Sequence, residues 1–240
     1  MTRLHSGVFV TGTDTGVGKT EISLGLMAAL QQRGLSVLGM KPVASDGRVG
    51  EHGLRCEDAV RLRDQGSVTA PYESVNPYAF EPPIAPHIAA GEAGVEVELS
   101  RIRGAYRELS EQADWVVVEG VGGWLVPLGP SLAVCDLPRA LDIPVVLVIG
   151  LRLGCLNHSL LTVEAIRSHG LRLAGWVANV MDPEMLARDR NIATLAALID
   201  APCLGVVAWL QQPRPELVAA HLTVDPLLRS VVGSRPNGQG

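Results

Sequence analysis

Lysine is almost missing from this sequence. Of its 20 lysines and arginines, only Lys19 and Lys41 are lysines. Arginine carries a planar fork; lysine is a compact charge on a flexible stem, suited to close contact with phosphate or a small anion. The two lysines therefore mark candidate anion sites. Positive charge in general is short: the formal net charge is −5, which argues against a nucleic-acid-binding face. Long hydrophobic runs are absent too. The longest, Ile143 to Leu151, covers about nine residues, and a membrane-spanning helix needs about 20. Met1 to Ser6 is short and polar, without the charged, apolar and small-residue order of a secretion signal. The cytoplasm is the expected compartment. Cys56, Cys135, Cys155 and Cys203 form no C-x-x-C pair, and the histidines make no H-E-x-x-H pattern, so no zinc framework is expected. The cysteines read as small, partly buried thiols in a reducing compartment.

What is present is apolar and regular. Hydrophobic residues make up 47% of 240, enough for one buried core. The chain reads as a single domain over residues 1–233 followed by a disordered tail at 234–240, with no repeat or linker. Strands are expected at Val8–Thr11, Leu35–Val43, Trp115–Val118, Pro144–Ile149, Leu173–Val180 and Leu204–Ala208. Helices are expected at Glu21–Gln32, Glu57–Arg63, Leu99–Gln112, Leu156–Ser168, Glu184–Ile199 and Val224–Val232. Pro71 to Pro86, with five prolines, reads as an irregular surface excursion. Alternation of strand and helix implies an α/β fold with a mainly parallel central sheet and helices on both faces. In such sheets ligands lie beyond the carboxyl ends of the strands.

The first strand runs into Gly12-Thr13-Asp14-Thr15-Gly16-Val17-Gly18-Lys19-Thr20. Its Gly-Lys-Thr ending matches a phosphate-binding P-loop, although five residues rather than four separate the outer glycines. Glycines let backbone N–H groups turn toward an anion, and the following helix adds its positive end. Lys19 can reach the terminal phosphates of ATP, and the Thr20 hydroxyl can ligate Mg²⁺. Magnesium takes oxygen ligands. Glu119, at a strand tip before Gly120-Val121-Gly122-Gly123, is placed for such a role. Asp58, in the first turn of a short helix, is a weaker candidate on its own. Lys41 ends the second strand and so faces the same strand-end crevice.

At these residues the sequence resembles the dethiobiotin synthetase family, from Val8 to about Leu210. The P-loop carries the resemblance together with Lys41-Pro-Val-Ala-Ser45, Gly53-Leu-Arg55 with Asp58, Asn76-Pro-Tyr78 and Ala85-Pro-His-Ile-Ala89. Glu119-Gly-Val-Gly-Gly-Trp124, Leu153-Gly-Cys-Leu-Asn-His158, Ala174-Gly-Trp-Val-Ala-Asn179 and Ala208-Trp-Leu210 follow in order. The resemblance implies a P-loop NTPase fold and an ATP- and Mg²⁺-dependent ligase acting on 7,8-diaminopelargonic acid and CO₂. One amine forms a carbamate, the γ-phosphoryl group moves to a carbamate oxygen, and the second amine closes the ureido ring. It further implies that Thr20, Asp58 and Glu119 hold Mg²⁺, and that Gly16, Val17, Gly18, Lys19, Thr20 and Glu21 cradle the phosphates. Gly120, Val121 and Gly122 would border the nucleotide; Asn179, Val180, Ala208, Trp209 and Leu210 would hold the adenine. Lys41 and Lys19 would be the catalytic cations. Thr15, Lys41 and Ser45 would touch the substrate, and Gly154, Cys155, Leu156 and Asn157 would take its carboxylate from a second subunit, making a homodimer. Three features depart from the pattern: Gly16 stands where some members carry an acid, Ala208 replaces a proline, and an acid expected a few places later falls at Pro215, with Glu216 adjacent.

Other classes fit the P-loop. A partitioning or septum-site ATPase switch would carry a second lysine early in the loop, where this chain has Thr13-Asp14-Thr15, and it would add a basic amphipathic tail. An amide-forming ligase of cofactor metabolism would need a glutamine-hydrolysing partner. A catalytically dead nucleotide-binding module would not be expected to keep Lys19, Thr20, Lys41 and Glu119.

Overall fold

The computed structural model describes residues 6–232; the first residues and the expected tail at 234–240 lie outside them. Six strands form one sheet. They are β1 (Ser6–Gly12), β2 (Val37–Met40), β7 (Trp115–Glu119), β8 (Val145–Leu151), β9 (Leu173–Val180) and β10 (Cys203–Val207). Their order across the sheet is β10-β9-β8-β1-β7-β2, and every neighbouring pair is parallel. The expected α/β class holds. Parallel pairing buries both faces of the central strands, which explains why β7 and β8 are apolar without alternation.

Helices cover both faces. On one side α1 (Lys19–Gln31) and α9 (Pro215–Ala219) pack on Val8, Val10, Val117, Val146 and Val148. Ile22 through Leu30 are all buried, because α1 lies between the sheet and α9. On the other side α5 (Leu99–Gln112) and α6 (Asp136–Leu141) pack on Phe9, Val116, Val118 and Val145. Around β8 and β9, α7 (Cys155–Ser168) and α8 (Arg188–Leu198) enclose Leu147, Ile149 and Trp176. The helix α10 (Asp225–Val232) closes the described chain. Burying each large side chain stabilises the fold by about 1.5–3 kcal/mol.

The chain passes from β1 outward to β2, returns through β7 between them, and crosses β1 to reach β8. The direction of winding therefore reverses at β1. This switch point opens a crevice beyond the carboxyl ends of β1, β2 and β7.

Several expected boundaries move. The second strand ends at Met40, one residue before Lys41. After Pro42 the chain starts β3 (Val43–Ala44), which pairs with β6 (Tyr78–Ala79) in a separate small sheet. The expected helix at 184–199 begins only at Arg188, after Ala187 in a left-handed conformation. The stretch 71–86 is not a surface excursion. It contains α3 (Tyr72–Val75) and β6, and it buries Tyr72, Val75, Tyr78 and Phe80 in the core. Its prolines sit at helix starts and turns, where a missing N–H costs nothing. Pattern reading did not find the hairpin of β4 (Arg48–Gly50) and β5 (Gly53–Arg55), nor α4 (Pro86–Glu92). The expected helix near 57–63 is α2 (Glu57–Asp64). Among the described residues no helix is long and apolar enough to cross a membrane.

Candidate active site

The loop between β1 and α1 is held from both flanks. Gly18 caps α1 with φ 88°, a left-handed conformation that favours glycine. A Cβ there would stand 2.3 Å from Asn179 Nδ2. Asn179, near the end of β9, uses that nitrogen to donate to the Val17 carbonyl at 2.9 Å. On the opposite flank, Asp14 accepts from the Thr15 N–H at 2.7 Å and pairs with Arg152 at 2.5 Å. The Thr15 N–H bond first, and Arg152 further, hold the Asp14 carboxyl below its ordinary range. Inside the loop, the Lys19 ammonium donates to the Asp14 carbonyl at 3.1 Å and to the Gly122 carbonyl at 2.6 Å. The second bond ties the loop to the turn after β7.

Glu119, the last residue of β7, is completely buried. Its Oε1 accepts from Thr20 Oγ1 at 3.0 Å and from Lys41 Nζ at 2.5 Å. Lys41 Nζ also donates to Asp58 Oδ2 at 2.9 Å. One ammonium thus bridges the two carboxylates that the sequence nominated for metal. Burial opposes the charge on Lys41, but Glu119 and Asp58 outweigh it and raise the pKa above the usual lysine range. Burial works against the Asp58 carboxylate too; Lys41 beside it overcomes that and holds its pKa low. Lys19 behaves in the opposite way. Burial, and then the nearby Lys41 charge, push it down to about 8.

The backbone that carries Lys41 is clamped. Its N–H donates to the Val75 carbonyl at 2.8 Å. Buried Asn76 donates to the Lys41 carbonyl at 2.6 Å and to the Tyr78 carbonyl at 3.0 Å. The Tyr72 hydroxyl donates to Asn76 Oδ1 at 2.9 Å and accepts from the Cys56 N–H at 2.8 Å. Cys56 precedes α2, so this chain of bonds sets Lys41 against Asp58. Across the same space Arg61 of α2 forms a two-pronged pair with Glu21 of α1 at 2.6 and 2.8 Å. That bond raises the Arg61 pKa further.

These groups surround a cleft of about 700 Å³. Thr15, Gly16, Gly18, Lys19, Thr20 and Glu21 form one wall, and Lys41, Ser45, Asp58, Glu119, Val121 and Gly122 another. All were nominated from sequence. Val17 and Gly120 lie behind the wall: Val17 is buried, and Gly120 sits against Phe9. Asn179 meets the cleft only through its bond to the loop. Val180 and Cys155 are buried in the core, and Gly154, Asn157, Ala208 and Trp209 are exposed away from this cleft, with Leu156 and Leu210 half-buried. Sequence reasoning missed Arg61, Asp46, Pro83 and Ile84 on the cleft, and it quoted Ala85 and Pro86 without a role. It quoted Asn76 without a role. An Asn before Pro in a buried segment was the one available signal for it.

The donor set fits Mg²⁺. Two carboxylates and a hydroxyl are hard oxygen ligands. Glu119 Oε2, fully buried, has no hydrogen-bond partner among the described residues, and a buried lone pair of that kind calls for a cation or donor. Among the described residues no cluster of three His, Cys, Asp or Glu forms an all-protein cage. Magnesium prefers few protein ligands, with phosphate and water completing its shell.

Comparison with known proteins agrees with this geometry. An AAA domain family model matches residues 6–216. The ATP-dependent dethiobiotin synthetase BioD of Cellvibrio japonicus is 52% identical over 220 residues, 92% of this chain and 96% of that protein. The enzyme of the same name from Pseudomonas aeruginosa is 54% identical over 91% of this chain and 96% of its own length. Among solved structures, the MinD cell division protein of Aquifex aeolicus overlays with a TM-score of 0.54 at 12% identity, covering 98% of this chain and 100% of that one. A ParA family ATPase of Chlorobium tepidum gives 0.54 at 14%, covering 94% and 97%. Those two likenesses concern the fold. Half-identity over nine-tenths of the length, with the loop, both lysines and Glu119 in one cleft, decides the family: this chain belongs to the dethiobiotin synthetases.

Proposed function

We propose that the cleft between α1 and α2 is where this chain closes the ureido ring of dethiobiotin. The chain is an ATP-dependent ligase that joins a vicinal diamine, 7,8-diaminopelargonic acid, to CO₂ with cleavage of ATP to ADP and phosphate. The observation that carries the site is the Lys41 ammonium, 2.5 Å from Glu119 and 2.9 Å from Asp58, on the same cleft as Lys19 and Thr20.

The reaction brings two anions together. A carbamate must approach the γ-phosphate, so cations have to offset the repulsion, and transfer is largely positioning and charge stabilisation. Lys19 holds the terminal phosphates through the loop, and Gly16 to Glu21 present N–H groups to them. Lys41 stands opposite and carries the carbamate oxygen toward phosphorus. One carbamate oxygen forms the new P–O bond while the bond to ADP breaks. The second amine then attacks the carbonyl carbon, and phosphate leaves with the oxygen it acquired. A free alkyl amine is protonated below about pH 10. Near Lys41 and Lys19 like charge disfavours that proton, so the first amine is available to CO₂. Mg²⁺ belongs to this reading. Thr20, Asp58 and Glu119 would hold it, and it would neutralise charge on the transferred phosphoryl group.

The adenine contacts are assigned to Asn179, Val180 and the Ala208-Trp209-Leu210 turn beyond β10. Substrate contacts go to Thr15 and Ser45, which lie on the cleft. A homodimer completes the proposal. Gly154 to Asn157 lies outside its own cleft, and Leu153 beside it is 98% exposed. That surface suits the second copy, whose α7 N-terminus would receive the substrate carboxylate. A cytoplasmic location is proposed alongside, on four cysteines that are all free thiols.

The test is direct. Purified protein is incubated with the diamine, bicarbonate, ATP and Mg²⁺, and the product is read by mass. Dethiobiotin appearing with ADP and phosphate in equal amounts supports the proposal; nucleotide hydrolysis without it refutes it.

A further inference from the structure

We infer that Asp46 is the residue that holds one of the substrate's two amines as an ammonium. The inference rests on the proposed reaction at the same cleft and assigns a contact within it.

Four carboxylates line the cleft: Glu21, Asp46, Asp58 and Glu119. Three are already engaged. Glu21 is forked onto Arg61, and Asp58 and Glu119 share Lys41. The Asp46 carboxylate has no hydrogen bond or ion pair among the described residues. Unlike those three, the Asp46 carboxylate is exposed on the cleft and is not matched to a protein cation among the described residues. The cations on the cleft, Lys19, Lys41 and Arg61, suit the phosphates and the carbamate. A diamine needs the opposite charge for the amine not yet carboxylated, and Asp46 supplies it next to Ser45. For ring closure that ammonium passes its proton to the Asp46 carboxylate, and the neutral amine then attacks the carbonyl carbon as phosphate leaves.

The backbone holds Asp46 for that purpose. Its φ is 78°, in the left-handed region, where Asp is tolerated at some cost and most residues are not. The conformation is imposed from both sides. The Asp46 N–H donates to the Pro82 carbonyl at 3.4 Å, and the Gly47 N–H donates to the Phe80 carbonyl at 2.8 Å. Just before it, β3 is paired to β6. A strained residue fixed at a ligand cleft is a reason to look for a role. Here the role is set by charge: an exposed acid on the cleft lining suits a substrate with two amines.

Two variants test the assignment, and both accept the backbone angle: Asp46→Asn and Asp46→Gly. Loss of a charge-assisted hydrogen bond predicts an increase of about ten- to a hundredfold in the diamine KM, with the ATP KM unchanged within twofold. Calorimetric binding supplies the second readout. The variants should bind the diamine and a nonanoate bearing a single amino group with nearly equal affinity, whereas the natural protein should prefer the diamine. An unchanged diamine KM in both variants overturns the role of Asp46. An equal rise in the KM for ATP also overturns it, since that would mean a distorted cleft. If the natural protein binds the diamine but forms no dethiobiotin, the reaction reading fails, and the calorimetric comparison still decides Asp46.

Discussion

Lys41 Nζ lies 2.5 Å from Glu119 Oε1, with both side chains buried at the carboxyl ends of β2 and β7. Neither charge could stay there alone. Burial of an unpaired ion is costly, so each residue is a condition for the other being ionised. The same contact places a buried cation beside the acid proposed to hold Mg²⁺.

Removing one partner should therefore act on stability as well as on turnover. Lys41→Gln leaves Glu119 and Asp58 facing each other without their cation. A loss of about 3–5 kcal/mol is expected in urea unfolding, and the double variant Lys41→Gln/Glu119→Gln should recover part of it. Turnover should fall at least a hundredfold in Lys41→Gln, with ATP affinity within a few-fold of the natural protein. Wild-type rates in that variant would remove Lys41 from the chemistry.

Glu119→Ala separates the metal role from the scaffold role. The Mg²⁺ concentration for half-maximal activity should rise at least tenfold, and metal-dependent ATP binding, read by calorimetry, should weaken with it. An unchanged response to Mg²⁺ would show that Glu119 serves only to neutralise Lys41.

Lys19 predicts a pH dependence. Its pKa is about 8 in the folded chain against an ordinary 10.5. Below about 8 both states carry the proton, and the cost of burying that charge is fully present. Between about 8 and 10.5 the unfolded chain binds more protons, so this group's contribution makes stability rise with pH across that window. ATP affinity should move the other way, because the phosphates need the ammonium. Calorimetry with metal-free ATP should find binding about tenfold weaker at pH 9.5 than at pH 7, with proton uptake on binding near pH 8. A flat profile would place the Lys19 proton outside the phosphate contact.

Much of this was legible in the chain, and the limits are physical. The P-loop shows because its residues are consecutive: backbone N–H groups, the Lys19 ammonium and the Thr20 hydroxyl all come from one short stretch. Lys41 stood out by the scarcity of lysine, and Glu119 by ending an apolar strand before glycines. Asp58 was weaker, since an acid in a helix's first turn is common; only Lys41, 17 residues away, gives it meaning. Asn76 and Arg61 were hidden for the same reason. Their partners, the Lys41 carbonyl and Glu21, lie 35 and 40 residues off, and no local period reports them. The segment 71–86 was misjudged because prolines that open helices look like prolines that forbid them.

Gly18 offers a test of loop geometry apart from charge. Gly18→Ala must place a Cβ at φ 88° and 2.3 Å from Asn179 Nδ2. The expected result is a destabilisation of about 1–3 kcal/mol in thermal or urea unfolding and a loss of nucleotide binding. The same change combined with Asn179→Ala should recover part of the stability. Failure to recover any would mean that the angle, not the asparagine, sets the cost.

In the proposed reaction the cleft brings carbamate oxygen and γ-phosphorus together between two lysines. Turnover with ¹⁸O-labelled bicarbonate, quenched before exchange with water, follows that oxygen. Mass analysis should find one ¹⁸O in the phosphate released with each dethiobiotin. Phosphate without label, formed at the same rate as product, would rule out transfer of the γ-phosphoryl group to a carbamate oxygen.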